Sequence, residues 1–227
     1  MKKIAALVSI FAIAVTGSAF AIDSPSGNYT VTTDALDAFD CEGVIKWEQL
    51  PNGVSGLSSQ DDQCYPFLSE VADDFMGDGE MMIGAGWWGV YWNGTPIAPD
   101  AFNLKVYADG GGAPGELIYS EAVTDYNETF GDPYGYCALL SEGVMKMDGM
   151  TYWLGVQAVF CFPPQWGYGT GEGSGSEIHF LSAFFGYPDW VPGSVVFGVP
   201  YDAAFLLYNG GEVPTEDATW SEIKALY

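Results

Sequence analysis

The sequence contains no arginine, only six lysines and one histidine, against 30 aspartate and glutamate residues, which gives a formal net charge of −24 at pH 7. Proteins that bind nucleic acids or anionic lipid surfaces neutralise phosphates with Lys and Arg. The composition therefore predicts no nucleic-acid partner. The carboxylates would instead attract cations, above all Ca²⁺, which prefers carboxylate oxygens. For most of them, solubility of an exported protein is the simpler interpretation.

The same scarcity of basic side chains limits the catalytic chemistry. A serine or cysteine nucleophile needs a base, usually His, and only His179 is available. His179 lies in an alternating run at 177–180, where we expect an outward polar position or a satisfied core residue. There is no G-x-S-x-G elbow. The run from Gly84 to Gly89 matches G-x-G-x-x-G, but it lies inside an aromatic β segment rather than before a helix, so we interpret the match as accidental.

Whether the protein is an enzyme stays uncertain on these grounds, and a non-catalytic role is favoured. The alternative is a carboxylate-based glycoside hydrolase on a jelly-roll scaffold, which needs two carboxylates about 5–9 Å apart across a cleft. With so many acidic residues, the sequence nominates no particular pair.

A long hydrophobic run is absent after the N-terminal region, since no later segment is apolar for the roughly 18 residues that a membrane span requires. The apolar run at residues 4–15 follows Lys2 and Lys3 and precedes Ala-Phe-Ala at 19–21. This pattern predicts a Sec-type signal peptide over residues 1–21, with the mature chain beginning at Ile22. We therefore expect a protein outside the cytoplasm, either secreted, at the cell surface or periplasmic, with no membrane span after cleavage.

The four cysteines are Cys41, Cys64, Cys137 and Cys161. There is no C-x-x-C motif, and an even count in an exported chain predicts two disulfides with three possible connectivities. We favour 41–64 and 137–161, because residues 136–162 resemble a hairpin around Asp148-Gly149. A three-residue loop would set Cys137 opposite Cys161, whereas a two-residue loop would miss by one residue, so the connectivity stays open.

Turn residues are abundant, with 30 Gly and 13 Pro, and short runs rich in β-branched and aromatic residues separate them. Phe102, Leu104 and Val106 alternate with polar residues, which is typical of a strand with one buried face. We predict an antiparallel, jelly-roll-like β-sandwich as a single domain over 22–211, followed by a linker and short tail at 212–227. The candidate strands are 29–33, 44–49, 81–92, 102–108, 116–123, 134–140, 143–147, 151–161, 177–185, 194–198 and 203–208.

Several short motifs along residues 44–210 resemble a loosely described group of secreted bacterial β-sandwich modules. Such modules are often found beside C-terminal sorting or anchoring segments. The resemblance implies a β-sandwich in an exported protein and brings no established activity. The motifs are Val71-Ala72-Asp73-Asp74-Phe75, Trp87-Trp88-Gly89-Val90-Tyr91, Phe102 to Asp109 with Pro114-Gly115, Tyr152-Trp153, Trp166-Gly167 and Asp202-Ala203-Ala204-Phe205.

The aromatic residues give the first candidate site, since sugar-binding modules stack pyranose rings on exposed Trp and Tyr. Residues 167–175 carry Gly at every second position, which predicts a mobile, exposed loop. Trp166, Tyr168, Tyr187 and Trp190 would form an aromatic platform in such loops. The function this favours is a non-catalytic secreted or cell-surface binding or structural module, with a glycan as the candidate ligand. Core packing and a protein contact are the alternatives for these rings.

A calcium site is the second candidate. Asp73 and Asp74 precede the long aromatic strand, and Asp202 opens the last strand, so an antiparallel sandwich could bring their oxygens together, with Glu70 or a carbonyl as a further ligand. The alternative, which we favour, is that these carboxylates accept hydrogen bonds from backbone N–H groups at turns.

Overall fold

Two β-sheets pack face to face around a hydrophobic core in the computed structural model, which describes residues 41, 43–129, 131, 133–173 and 175–210. The predicted all-β sandwich is confirmed. The predicted signal peptide, the candidate strand at 29–33 and the tail at 212–227 lie outside the described residues.

In chain order the strands are β1 (Val44–Gln49), β2 (Pro51–Ser58), β3 (Gln60–Asp62), β4 (Glu70–Met76), β5 (Met81–Trp92), β6 (Ala101–Asp109), β7 (Pro114–Val123), β8 (Asn127–Thr129), β9 (Tyr134–Met145), β10 (Thr151–Phe160), β11 (Gln165–Gly171), β12 (His179–Ser182), β13 (Tyr187–Pro192), β14 (Asp202–Ala203) and β15 (Phe205–Asn209). A short helix, α1 (Gly193–Phe197), follows β13.

The eight-stranded sheet is built around β5. Strand β9 pairs along one edge of β5, while β15 and β11 share the other edge. The order continues outward from β15 to β1, from β11 to β2 and β14, and from β9 to β8. Because β5 lies at the centre of this sheet, it is buried on both faces along most of its length.

The seven-stranded sheet has the order β13-β12-β4-β10-β6-β7. Strand β3 pairs with β10 in parallel, and every other strand pair among the described residues is antiparallel. The alternation predicted for β6 is confirmed, since Phe102, Leu104 and Val106 all enter the core between the sheets. The opposite side of β6 and β10 therefore forms the outer face of this sheet.

The glycine-rich stretch is a strand where the sequence predicted a mobile loop. Its first half is β11, and Trp166 and Tyr168 enter the core while the intervening glycines face the other way. A Cβ on Gly167 would lie 2.6 Å from the Trp92 ring. Glycine at alternate positions thus makes room for close neighbours in the sheet.

The preferred disulfide connectivity was also wrong. Cys41 is bonded to Cys137, and Cys64 is bonded to Cys161. The hairpin argument failed because β9 belongs to the eight-stranded sheet and β10 to the seven-stranded one. The turn at Asp148-Gly149 therefore connects two sheets rather than two neighbouring strands.

The segment predicted as a strand at 194–198 is helix α1, which ends at Gly198 with a φ of +79°. A five-residue apolar run carries too little periodicity to separate the two structures. Among the described residues, no helix has the length and apolar character that crossing a membrane requires.

Candidate functional site

The outer face of the seven-stranded sheet has very small residues at its centre. Gly155 of β10 pairs with Ala72 of β4 on one side and with Lys105 of β6 on the other. A Cβ on Gly155 would lie 2.5 Å from Glu70 Oε1. Because Gly155 has no side chain, the Glu70 carboxylate occupies the space above it on the sheet.

The Glu70 carboxylate is the centre of a polar network on this face. Lys105 Nζ lies 2.6 Å from Glu70 Oε2, and the Tyr107 hydroxyl donates to Glu70 Oε1 at 2.7 Å. Lys105 also donates to Gln157 Oε1 at 2.7 Å, and Gln157 Nε2 donates to the Ser69 carbonyl at 2.7 Å. The ion pair and its hydrogen bond to Gln157 thus link strands β4, β6 and β10.

This ion pair is largely removed from water, because the side chains of Lys105 and Glu70 are 19% and 3% exposed. Burial raises the pKa of Tyr107 far above its usual range, and the Glu70 charge raises it further. Tyr107 therefore keeps its proton and remains a donor to Glu70. Charge-assisted hydrogen bonds of this kind are stronger than neutral ones.

Trp190 borders the network and is half-buried. The register of β12 and β13 shifts between Phe180, opposite Val191, and Ser182, opposite Tyr187, so Trp190 lies in a bulge. Its ring meets the ring of Tyr107 edge-on, with centroids 5.6 Å apart. We call the set Glu70, Lys105, Tyr107, Gln157 and Trp190 the Trp190 site.

Trp153 lies beneath the border of this site and is fully buried. Its Nε1 donates to Asp109 Oδ1 at 3.0 Å, and its ring packs edge-on against His179 at 4.8 Å. Burial opposes ionisation of Asp109, but hydrogen bonds from Trp153 and from the backbone N–H of Gly112 outweigh it and lower its pKa. Burial lowers the pKa of His179 against the influence of Glu177 and Asp109. His179 is thus a buried packing residue.

The predicted aromatic platform is not assembled. Trp166 and Tyr168 are wholly buried in the core between the sheets, which contradicts their predicted place in exposed loops. Tyr187 and Trp190 both belong to β13 and are half-buried. Of the four rings, Trp190 is the one that joins a polar network.

Asp73 lies in the interior, where it connects the two sheets. Its Oδ2 accepts hydrogen bonds from Gln49 Nε2 at 2.8 Å and from the backbone N–H of Ala203 at 2.7 Å. Its Oδ1 accepts the backbone N–H of Asp74 at 2.9 Å. Burial raises the pKa of Asp73 well above its usual range, although the bond from Ala203 opposes this.

Asp74 and Asp202 are covered by the end of the glycine-rich stretch. Asp74 Oδ1 accepts the backbone N–H of Ser176 at 2.8 Å. A Cβ on Gly173 would overlap the Asp202 carboxylate, and a Cβ on Gly175 would lie 2.6 Å from Asp74 Oδ1. Burial raises the pKa of both aspartates, and the charge of Asp74 raises that of Asp202 further.

The described residues contain no group of three or more His, Cys, Asp or Glu side chains arranged to hold a metal ion. Asp73 and Asp74, which lie in strand β4 rather than at a turn, accept backbone N–H groups. The structure thus gives calcium no assembled ligand set at Asp73, Asp74 and Asp202, and calcium binding there stays a prediction.

A cavity of about 380 Å³ lies beside the Cys41–Cys137 disulfide. Asp125, Tyr126 and Leu139 are among its lining residues, and Asp125 is its single carboxylate. It therefore lacks the two facing acids that glycoside hydrolysis requires.

Sequence reasoning missed Glu70, Lys105 and Gln157 as one network. A signal was present for Lys105, which is one of six lysines and alternates with the apolar residues of β6. Its partners come from β4 and β10, so only the strand order reveals the network.

No protein-family model, no curated protein and no solved structure matches this chain.

Proposed function

We propose that this protein is an exported, non-catalytic module that binds a neutral glycan at the Trp190 site. The observation that supports the proposal is the half-buried Trp190 ring beside a polar network on the outer side of the seven-stranded sheet. An indole ring packs well against the apolar C–H face of a sugar, while neighbouring polar groups bond its hydroxyls.

The network keeps hydrogen-bonding capacity for such hydroxyls. An ammonium group has three donors, and Lys105 uses two of them, on Glu70 and Gln157. A carboxylate offers about four acceptor positions, and Glu70 is contacted by Lys105 and Tyr107. The site is thus held in place by its own contacts, and Lys105, the more exposed partner of the ion pair at 19%, keeps a donor for a ligand.

The charge of the chain favours a neutral ligand over an anionic one. With a net charge of −24, the protein repels polyanions at long range. The one ammonium of the Trp190 site is already paired with Glu70, so it offers no unbalanced positive charge to a uronate or sulfate group.

The proposal also includes the location of the protein outside the cytoplasm. Two disulfides indicate an oxidising environment outside the cytoplasm. We infer that a Sec-type signal over residues 1–21 delivers the chain there, as a secreted, cell-surface or periplasmic protein.

The test is affinity electrophoresis in gels containing soluble neutral polysaccharides, with pull-down on insoluble ones. We expect retardation by at least one glycan and its loss in Trp190→Ala. Tyr65→Ala is the matched control, because Tyr65 is a 53% exposed aromatic that packs on Phe162 away from the site. The absence of retardation by every glycan, or equal retardation of Trp190→Ala, would contradict the proposal.

A second candidate function is glycoside hydrolysis by Asp74 and Asp202. It is favoured by one observation, that Asp74 and Asp202 both lie against the end of the glycine-rich stretch, where burial raises the pKa of Asp202 and the charge of Asp74 raises it further, as in pairs that divide acid and base roles. This candidate predicts release of reducing sugar by the wild-type protein and its loss in Asp202→Asn. Retardation without any release by the wild-type protein supports the binding module instead.

A further inference from the structure

Five of the six methionines among the described residues are exposed, which is unusual for so apolar a side chain. They lie on two neighbouring segments, 76–81 and 145–150, which hydrogen bond to each other through Gly77 and Met150 at 2.8 Å and through Gly149 and Gly77 at 3.0 Å. Their exposed fractions are 49% for Met76, 45% for Met81, 52% for Met145, 62% for Met147 and 56% for Met150.

Three of these side chains lie on one face. Met81 of β5 pairs directly with Met145 of β9, and such cross-strand partners have Cβ atoms about 5 Å apart. Met147 follows two residues later, just beyond the end of β9, and the backbone N–H of the buried Lys146 between them donates to the Glu80 carbonyl at 3.2 Å, so the pairing of the two segments continues past Met145. Gly143 helps to seat Met81, because a Cβ on Gly143 would overlap the Met81 sulfur. That sulfur therefore lies over β9, two residues from Met145.

Both lysines at these segments are paired with carboxylates, Lys46 with Glu80 at the surface and Lys146 with Asp78 beneath it. Lys146 is 1% exposed, and its Nζ lies 2.9 Å from Asp78 Oδ1 and 2.8 Å from Asn209 Oδ1. The exposed side chains next to the three methionines include the acidic Glu142 and Asp148. The electrostatic surroundings thus favour a bound cation.

We propose that Met81, Met145 and Met147 form a binding site for a soft monovalent metal ion. The biological ion of this class is Cu(I). Thioethers select soft ions such as Cu(I) over Ca²⁺, Mg²⁺ or Zn²⁺. All four cysteines are in disulfides, so methionine is the soft ligand that the chain still offers. A thioether carries no proton to displace, so binding is independent of pH over the neutral range. We call the three residues the methionine site.

The first experiment titrates the intact protein with Ag(I), a redox-stable analogue, and with Cu(I) under anaerobic conditions against a chromophoric Cu(I) chelator. One ion should bind per chain, with a coordination shell of sulfur by X-ray absorption. Met145→Leu with Met147→Leu should weaken binding by more than about tenfold, since even indirect partners of a metal contribute that much. Met76→Leu is the matched control, an equally exposed methionine on the other sheet, and should bind as the wild type does.

Leucine substitution separates a metal site from an apolar protein contact, because it keeps volume and apolar area and removes only sulfur. Circular dichroism and melting of each variant establish that it folds. Absence of Ag(I) binding, or unchanged affinity in Met145→Leu with Met147→Leu, overturns the proposal.

The second experiment locates the bound ion residue by residue. Peroxide converts exposed methionine to the sulfoxide, and peptide mass spectrometry measures the rate at each position. Ag(I) should slow oxidation of Met81, Met145 and Met147 and leave Met76 unchanged. Equal protection of Met76, or no protection of the three, would contradict the site.

Discussion

The outer faces of the two sheets differ in chemistry. On the eight-stranded sheet, Trp88, Leu206 and Tyr208 form a second apolar cluster with Cys137 of the disulfide to Cys41, and all four are buried. On the seven-stranded sheet, the same position is taken by the ion pair of Lys105 and Glu70 beside Trp190. The outer side of one sheet is therefore apolar at this position, whereas that of the other combines a buried ion pair with the apolar cluster of Ala72, Tyr107, Trp153 and Trp190.

This difference indicates where a ligand can bind. An apolar face that is already covered contributes to stability and leaves nothing for recognition. A polar network held by mutual hydrogen bonds keeps its geometry, as a binding site requires, and the half-buried Trp190 lies at its border. The comparison thus places recognition on the seven-stranded sheet and stability on the eight-stranded one.

The most direct test of this difference between the two sheets is to truncate one tryptophan on the outer face of each. Trp88→Ala should lower the free energy of unfolding by about 4 kcal/mol, the usual range for a fully buried Trp. Trp190→Ala should cost no more than about 1–2 kcal/mol, since the ring is only half-buried. Urea unfolding with the disulfides intact measures both. Equal losses would remove the distinction between the faces.

The ion pair offers the next test. Lys105→Met should cost about 3 kcal/mol, because it leaves the buried Glu70 carboxylate without its partner. Adding Glu70→Gln to Lys105→Met should restore much of this loss. Lys46→Met is the control, since Lys46 pairs with an exposed Glu80 and its removal should leave the unfolding midpoint unchanged. A similar loss in both single variants would show that burial of the pair is irrelevant.

The smallest expected effects come from two aspartates. Their contributions to the free energy of unfolding should change with pH in opposite directions. The pKa of Asp73 is raised in the folded protein, so its contribution to stability is present at low pH and is lost as pH rises from about 4, the unfolded value, through the folded pKa. The pKa of Asp109 is lowered, so its contribution is present above about 4 and is lost as pH falls through the folded pKa.

Melting curves from pH 3 to 8 check these signs. The stability of wild type relative to Asp73→Asn should decrease as pH rises, and that relative to Asp109→Asn should increase over the lower part of the range. Parallel curves for all three proteins would contradict both assignments.

The bounds of several strands could be predicted from the sequence. The predicted bounds 44–49 and 81–92 coincide with β1 and β5, and the alternation in β6 and β10 identified their inward residues. Strand β4 was missed, since Asp73 and Asp74 give it the composition of a turn. Only the hydrogen bonds that Asp73 makes across to the other sheet allow a carboxylate there.

The candidate site was predicted in part. Trp190 was named from its sequence, whereas Trp166 and Tyr168 were misplaced because glycines at alternate positions resemble a flexible loop. In β11 those glycines are required by close neighbours, such as the Trp92 ring against Gly167. Glu70 and Lys105 are 35 residues apart, and no local pattern connects them.

The crossed connectivity of the disulfides has a consequence for biogenesis. Each bond joins cysteines about a hundred positions apart, 96 for Cys41–Cys137 and 97 for Cys64–Cys161, and the two loops overlap. As the chain emerges from its N-terminus, Cys64 follows Cys41 long before either native partner is present. An oxidant acting in order of appearance therefore joins Cys41 to Cys64 first, and thiol–disulfide exchange must correct this pair. We therefore expect the reduced protein to regain its native disulfides faster with a disulfide isomerase than with an oxidant alone.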